Sequence, residues 1–126
     1  MKIDNECVRD ILFTIEEFST FEKPFYINGY GKYPKISKYE PDKISYHLRY
    51  LEMKGLIYMP KSKPSPENYD LKPEGHEFLA NVREDNNWNE IKKISSKIGF
   101  ASLKVISAIA EGVATAAINK QLGFSE

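Results

Sequence analysis

Basic and aromatic residues cluster around one predicted helix in the middle of the chain. Arg can bond a guanine edge or a phosphate, and Lys, Tyr and Ser can bond phosphate oxygens. The alternative is that this surface, with its tyrosines and Met53, contacts another protein. The candidate DNA-binding residues are Lys35, Lys38, Lys43, Ser45, Tyr46, Arg49, Tyr50, Lys61 and Lys63.

The distribution of charge favours DNA as a partner, although the net charge is zero. Residues 23–63 contain nine Lys or Arg and three Asp or Glu, a balance of +6. The balances of residues 1–22, 64–90 and 91–126 are −4, −5 and +3. Because a local basic region matters more for binding nucleic acid than the total charge does, double-stranded DNA is an expected partner.

His47 and His76 could bind a metal, sense pH or act as general bases. A metal site would need further ligands at regular spacing, and Cys7 is far away in sequence. A general base needs a nucleophile, and no Gly-x-Ser-x-Gly turn or phosphate-binding glycine loop occurs. Structural roles are therefore favoured for His47, His76 and the single Trp88, with pH sensing or metal binding as the alternative for the histidines. We expect no enzymatic activity, cofactor, metal or small-molecule substrate.

Length and composition indicate a globular chain in a reducing compartment. The 126 residues are 41% hydrophobic and 13% aromatic, which suits a packed core. The single Cys7 cannot form an intramolecular disulfide, and the first residues lack the apolar segment of a signal peptide. We therefore expect a cytoplasmic protein.

The spacing of apolar residues predicts five helices, and two strands enclose a proline-rich loop between the second and third helices. A helix followed by a two-stranded hairpin is the arrangement of a winged helix. The predicted fold is thus mainly α with a small β-hairpin wing (α+β). Residues 1–85 would form a winged-helix-like core, and residues 86–126 a C-terminal helical extension of one compact domain. The predicted helices cover residues 4–18, 41–54, 73–84, 88–98 and 102–121, and the predicted strands residues 56–59 and 69–71.

The last predicted helix is apolar around much of its circumference. Either it packs within its own domain or it pairs with a second copy across a two-fold axis, and we expect a homodimer. Binding at a membrane surface is a further alternative. Lys104, Glu111 and Lys120 interrupt the helix too often for a transmembrane span. The candidate dimerisation residues are Leu103, Ile106, Ala110, Val113 and Ala117.

Three segments of the chain resemble a known family: YHLRYLEMKGLI, LKPEGHEFLANVREDNNW and GFASLKVISAIA. They are similar to a small family of bacterial and phage-borne proteins of unknown function, with Tyr-His-Leu-x-x-Leu-x-x-x-Gly-Leu-Ile, then Leu-Thr-x-x-Gly-His-Glu-Phe-Leu, then Trp. The similarity extends from Asp4 to Leu122 and implies a winged-helix-like fold without implying an activity. Lys72 stands in place of the family's usual Thr, and residues 21–39 show no clear second helix.

Taken with the basic surface, this resemblance leads us to expect a small DNA-binding protein in transcription regulation, of phage or mobile-element type. The alternative is an adaptor that keeps the winged fold and binds another protein.

Overall fold

The computed structural model describes residues 1–21, 32–59, 69–99 and 101–123. Segments with an amphipathic sequence pattern form helices in most of this range. These residues form five helices and one two-stranded antiparallel sheet, so the predicted α+β class is confirmed. The elements are α1 (Asn5–Phe18), α2 (Pro41–Met53), β1 (Ile57–Tyr58), β2 (Asp70–Leu71), α3 (Pro73–Val82), α4 (Asp85–Ile98) and α5 (Leu103–Gln121).

Residues 1–77 form one compact unit, in which α1 packs on α2 and on β2. Each helix buries the apolar stripe that its sequence predicts, because residues three and four positions apart share a face. At the end of α1, the Ser19 hydroxyl donates to a carboxylate oxygen of Asp70 over 3.0 Å. The fully buried side chains of this unit include Ile11, Leu12, Ile15, Ile36, Ile44, His47, Leu51 and Ile57.

Residues 78–126 form the second compact unit, in which α4 and α5 pack against each other. Its buried residues include Trp88, Ile91, Leu103, Ile106 and Ala110. The expected division into a core of residues 1–85 and an extension of residues 86–126 stays a prediction.

A single helical turn precedes α2, in the region where no second helix was evident from the sequence. The N–H groups of Ile36 and Ser37 both donate to the carbonyl oxygen of Tyr33, over 3.0 and 2.9 Å. The Ile36 side chain is completely buried. One apolar residue therefore anchors this turn to the core, although the turn is too short to produce a helical sequence pattern.

Side-chain caps begin the first and last helices. Asp4 caps α1 through hydrogen bonds from the N–H groups of Glu6 and Cys7, and Ser102 caps α5. The predicted start of the fourth helix at residue 88 is wrong, because α4 begins at Asp85. The Asp85 carboxylate lies in the first turn of α4, where it favourably meets the positive end of the helix dipole.

Gly75 in α3 lies against the backbone that links α2 to β1. A Cβ atom at this position would overlap the carbonyl oxygen of Leu56, which accepts a hydrogen bond from the Lys72 N–H over 2.8 Å. The glycine therefore permits α3 to start directly beside the hairpin. None of the helices in the described part of the chain is both long enough and apolar enough to cross a membrane.

We expect Gly75→Ala to lower the free energy of unfolding by about 1–3 kcal/mol, because the added methyl group overpacks a backbone contact that cannot move away easily. Gly112→Ala in α5 is the matched control, since a Cβ atom there meets nothing within 4 Å. It should instead stabilise the protein by about 0.5–1 kcal/mol through a higher helix propensity. Urea unfolding followed by circular dichroism measures both effects, and equal stability of the two variants would contradict the steric argument.

Candidate nucleic-acid interface

His47 joins the beginning of α1 to α2, in a group of residues that we call the Asp4–His47 cluster (Asp4, Lys43 and His47). The Nε2 atom of His47 accepts the backbone N–H of Asp4 over 2.9 Å, and its Nδ1 atom lies 2.8 Å from the carbonyl oxygen of Lys43. Because an N–H group can only donate, the ring must carry its proton on Nδ1. The buried His47 is thus a neutral link between two helices, and it is enclosed more completely than its place at the edge of the apolar stripe suggests.

An ion pair completes the Asp4–His47 cluster. The Nζ atom of Lys43 lies 2.6 Å from a carboxylate oxygen of Asp4. Partial burial alone would raise the pKa of Asp4, but the hydrogen bonds from Lys43, Cys7 and Glu6 outweigh it and hold the pKa below 3.8. The hydrogen bond to Asp4 also raises the pKa of Lys43. Lys43, a candidate DNA contact, is therefore occupied in holding α1.

A second acidic residue of α1 binds the segment before α2. The Tyr39 hydroxyl donates to a carboxylate oxygen of Asp10 over 2.7 Å, and the Nζ atom of Lys38 lies 3.2 Å from the same oxygen. Burial, followed by the hydrogen bond to Asp10, raises the pKa of Tyr39 above its ordinary range. A third pair joins Lys35 to Glu17 over 3.6 Å.

These three pairs align acidic residues 4, 10 and 17 of the first helical segment with lysines 43, 38 and 35 in reverse order. The basic middle of the sequence and its acidic first segment therefore partly neutralise each other within the folded chain. Part of the basic charge that suggested DNA binding is thus paired with acidic residues of the same chain.

The outward surface of α2, which we call the α2 face, consists of Asp42, Ser45, Tyr46, Arg49 and Met53. The guanidinium carbon of Arg49 lies over the Tyr46 ring, 5.4 Å from its centroid. No carboxylate of the described residues forms an ion pair with Arg49. Met1 and Met59 complete a shallow groove of about 450 Å³ along this face. The groove thus brings the Arg49 guanidinium, the Asp42 carboxylate and the Ser45 hydroxyl together beside two methionines.

The other candidate residues lie in different environments. Tyr50 is half-buried, with the Nζ atom of Lys54 over its ring at 5.9 Å. Lys61 and Lys63 fall outside the described residues. His76 is exposed, Trp88 is buried, and their structural roles stay predictions. Among the described residues no group of three His, Cys, Asp or Glu side chains could hold a metal ion.

The candidate dimerisation residues of α5 divide into two sets. Leu103, Ile106 and Ala110 are buried within the single chain, whereas Val113 is half-buried and Ala117 is exposed. Of these five residues, a second copy could therefore reach only Val113 and Ala117 without a rearrangement.

Sequence reasoning missed the parts that Asp4, Asp10 and Tyr39 play in this region. The only available signal was the pattern of acidic residues in the first helix and lysines before the second. Cys7 is a buried free thiol in α1. Burial, followed by the charge of Asp4, raises its pKa to about 12, so the thiolate that would make it reactive is suppressed.

Fold and site together define a small α+β protein with a helix–hairpin unit and a helical pair. Residues 2–101 match the family described as "Hypothetical protein (DUF2513)", and the chain belongs to this family, whose function is unknown. The predicted resemblance to a family of unknown function is confirmed at this level. Its winged-helix character and phage or mobile-element association stay predictions.

A relative from Haemophilus influenzae (strain ATCC 51907 / DSM 11121 / KW20 / Rd), with the name "Uncharacterized protein", is similar over nearly its whole length. It is 29% identical over 118 residues, which cover 90% of this chain and 95% of the relative. No solved structure matches the chain.

We expect Asp4→Asn to lower the free energy of unfolding by about 0.5–1 kcal/mol near neutral pH, because it removes the charge that pairs with Lys43 but keeps a capping oxygen. The pKa of Asp4 is lower in the folded state than in the unfolded state. The carboxylate therefore contributes its full stabilisation at pH values above the unfolded-state pKa. This stabilisation is lost as the pH falls through the folded-state pKa. The difference from wild type should therefore disappear as the pH drops below 3.8.

Urea unfolding at a series of pH values measures this difference. Glu17→Gln is the matched control, because it removes a charge from a more exposed pair of α1 and should change stability by less than about 0.5 kcal/mol. A pH-independent effect of Asp4→Asn would refute the ion-pair explanation.

Proposed function

We propose that this protein is a non-enzymatic, cytoplasmic DNA-binding regulator of transcription that binds double-stranded DNA through the α2 face. In this proposal residues 1–77 act as a winged-helix domain, with α2 in the major groove and the β1–β2 hairpin as the wing. The order of α1, the helical turn at residues 33–38, α2 and the antiparallel hairpin supports it.

The observation that carries the proposal is the position of the Arg49 side chain. It is exposed on the side of α2 opposite the buried Ile44, Leu48 and Leu51, and it is the basic residue of the α2 face. Ser45 lies one turn before it and Tyr46 supports its guanidinium group. An exposed cation beside hydroxyl groups on a helix is what contacts with phosphates and base edges require.

The paired lysines differ in their availability to phosphate. The side chains of Lys38 and Lys35 are 62% and 48% exposed, and ion pairs at such sites are worth about 0–1 kcal/mol. A DNA phosphate can compete with their carboxylate partners at that cost. Lys43 is 32% exposed and forms the shortest of the three pairs, so we assign it to the protein's own stability.

An adaptor that binds another protein is the second candidate, and exposed apolar residues favour it. Met53 is 76% exposed and Tyr58 is 52% exposed, while the groove beside Arg49 has two methionines in its lining. Methionine is common at adaptable protein-binding surfaces. An adaptor would have no affinity for DNA even at low salt.

We expect the purified protein to bind mixed-sequence duplex DNA with an affinity that falls steeply with salt, because phosphate contacts release counterions. Arg49→Ala should weaken this binding and reduce the slope of log affinity against log salt by about one. Fluorescence anisotropy across a salt series measures both quantities. Lys104→Ala, which removes an exposed charge from α5, is the matched control and should bind as wild type does.

Failure of the wild-type protein to bind DNA at about 50 mM salt would overturn the DNA-binding proposal, because non-specific electrostatic binding is still strong there. The adaptor would then be the better explanation of the α2 face.

We also propose a homodimer formed by the C-terminal half of α5, where Ile118 is 57% exposed. Ile118→Glu should shift the protein to the monomer in sedimentation velocity at several concentrations, because it places a charge in the apolar contact. Its melting temperature should stay close to that of wild type. Ala108→Glu, at an exposed position nearer the start of the helix, should leave the dimer intact. A wild-type protein that is monomeric at every concentration would contradict this part of the proposal.

A further inference from the structure

We propose that the α2 face selects its DNA sequence, with Arg49 contacting guanine and Asp42 contacting cytosine. This inference rests on the proposed DNA-binding function and names the bases that its surface would recognise. Asp42, Ser45 and Arg49 are all exposed, and they line the same groove. The three residues lie at three- and four-residue spacing, so they share one side of the helix.

Arg49 is positioned for a base contact and is not simply a mobile charge. The Tyr46 ring lies against one side of its guanidinium group, at 5.4 Å from the ring centroid to the guanidinium carbon. This contact restrains the guanidinium through its face, and no carboxylate of the described part of the chain pairs with the N–H groups at its edge. Two parallel N–H donors match the O6 and N7 acceptors of guanine in the major groove. A lysine at this position would keep the charge but could not form this planar pair of hydrogen bonds.

Asp42 is the unexpected residue of a DNA-facing surface, because a carboxylate repels phosphates. A carboxylate in the first turn also stabilises the helix dipole, so the residue type alone would not indicate a base contact. The position of Asp42 on the same side of α2 as Arg49 is what indicates a base contact. If Arg49 faces the base edges, Asp42 faces them too. Both the N4 amino group of cytosine and the N6 amino group of adenine can donate to a carboxylate in the major groove. Cytosine is the better partner, because the N7 acceptor beside the adenine amino group repels a carboxylate.

The helix geometry sets the distance between the two contacts. Asp42 and Arg49 are seven residues apart, which corresponds to a rise of about 10 Å along the helix axis. Successive base pairs are about 3.4 Å apart along the DNA axis. The guanine and the cytosine should therefore be separated by no more than about three base pairs. Ser45, between them, can donate to or accept from either base.

Enrichment of duplexes from a randomised library tests this inference, with wild type, Arg49→Lys and Asp42→Asn selected in parallel. Wild type should enrich a site that contains guanine and cytosine at this separation. Arg49→Lys should bind mixed-sequence DNA nearly as wild type does, but should lose preference for guanine by about 5- to 150-fold, the value of a bidentate contact. Asp42→Asn should relax the cytosine position and keep the guanine. Melting curves should show that both exposed substitutions leave the fold intact.

The possible outcomes distinguish a failure of this inference from a failure of the proposed DNA-binding function. Binding to mixed DNA without any enriched sequence would overturn base selection and leave DNA binding in place. An enriched site that Arg49→Lys still selects would overturn the role of Arg49, and one that Asp42→Asn leaves unchanged would overturn that of Asp42. Absence of all DNA binding would overturn the proposed function, and this inference with it.

Discussion

The imidazole of His47 fixes the relation between α1 and α2, on which the helix–hairpin unit depends. Its two nitrogens satisfy the N–H of Asp4 at the beginning of α1 and the carbonyl oxygen of Lys43 in α2. A buried polar group that loses its partner costs about 1–3 kcal/mol. Because the ring is completely buried, water cannot replace these two partners of its nitrogens while the helices stay packed. This neutral side chain therefore helps to fix the orientation of the α2 face.

Charge complementarity extends this connection along the same helices. Asp4, Asp10 and Glu17 meet lysines from the segment that leads into α2. The Lys35–Glu17 pair is well exposed on both sides, whereas Asp4 and Asp10 are 32% and 13% exposed, so the pair with Glu17 should contribute least to stability. The lysines with most to offer an external phosphate are thus those that contribute least to the fold. One set of charges can in this way serve stability at one end of the segment and binding at the other.

The sequence predicts the fold class and most helix boundaries because apolar periodicity and capping residues are local signals. Pro41 at the start of α2 and Gly99 after α4, which has a φ of +78°, are examples. The complete burial of His47 and the pairing of Tyr39 with Asp10 could not be predicted. They join residues 43 and 29 positions apart, and nothing in a local pattern specifies which distant partner a polar group meets. For the same reason, the basic middle of the chain was treated as a free surface, although part of it is paired internally.

The candidate site consists of the side chains of α2 that face away from the core and from α1. Lys43 is committed to Asp4, and Ile44, His47, Leu48 and Leu51 face the core, so the remaining side of α2 carries its available chemistry. On that side Arg49 is supported by an aromatic ring, not by a carboxylate. An exposed cation–π contact of this kind contributes about 0.5–1 kcal/mol, and no carboxylate of the described residues forms an ion pair with Arg49. The contact restricts the orientation of the guanidinium group, which suits the directional hydrogen bonds of the proposed external partner.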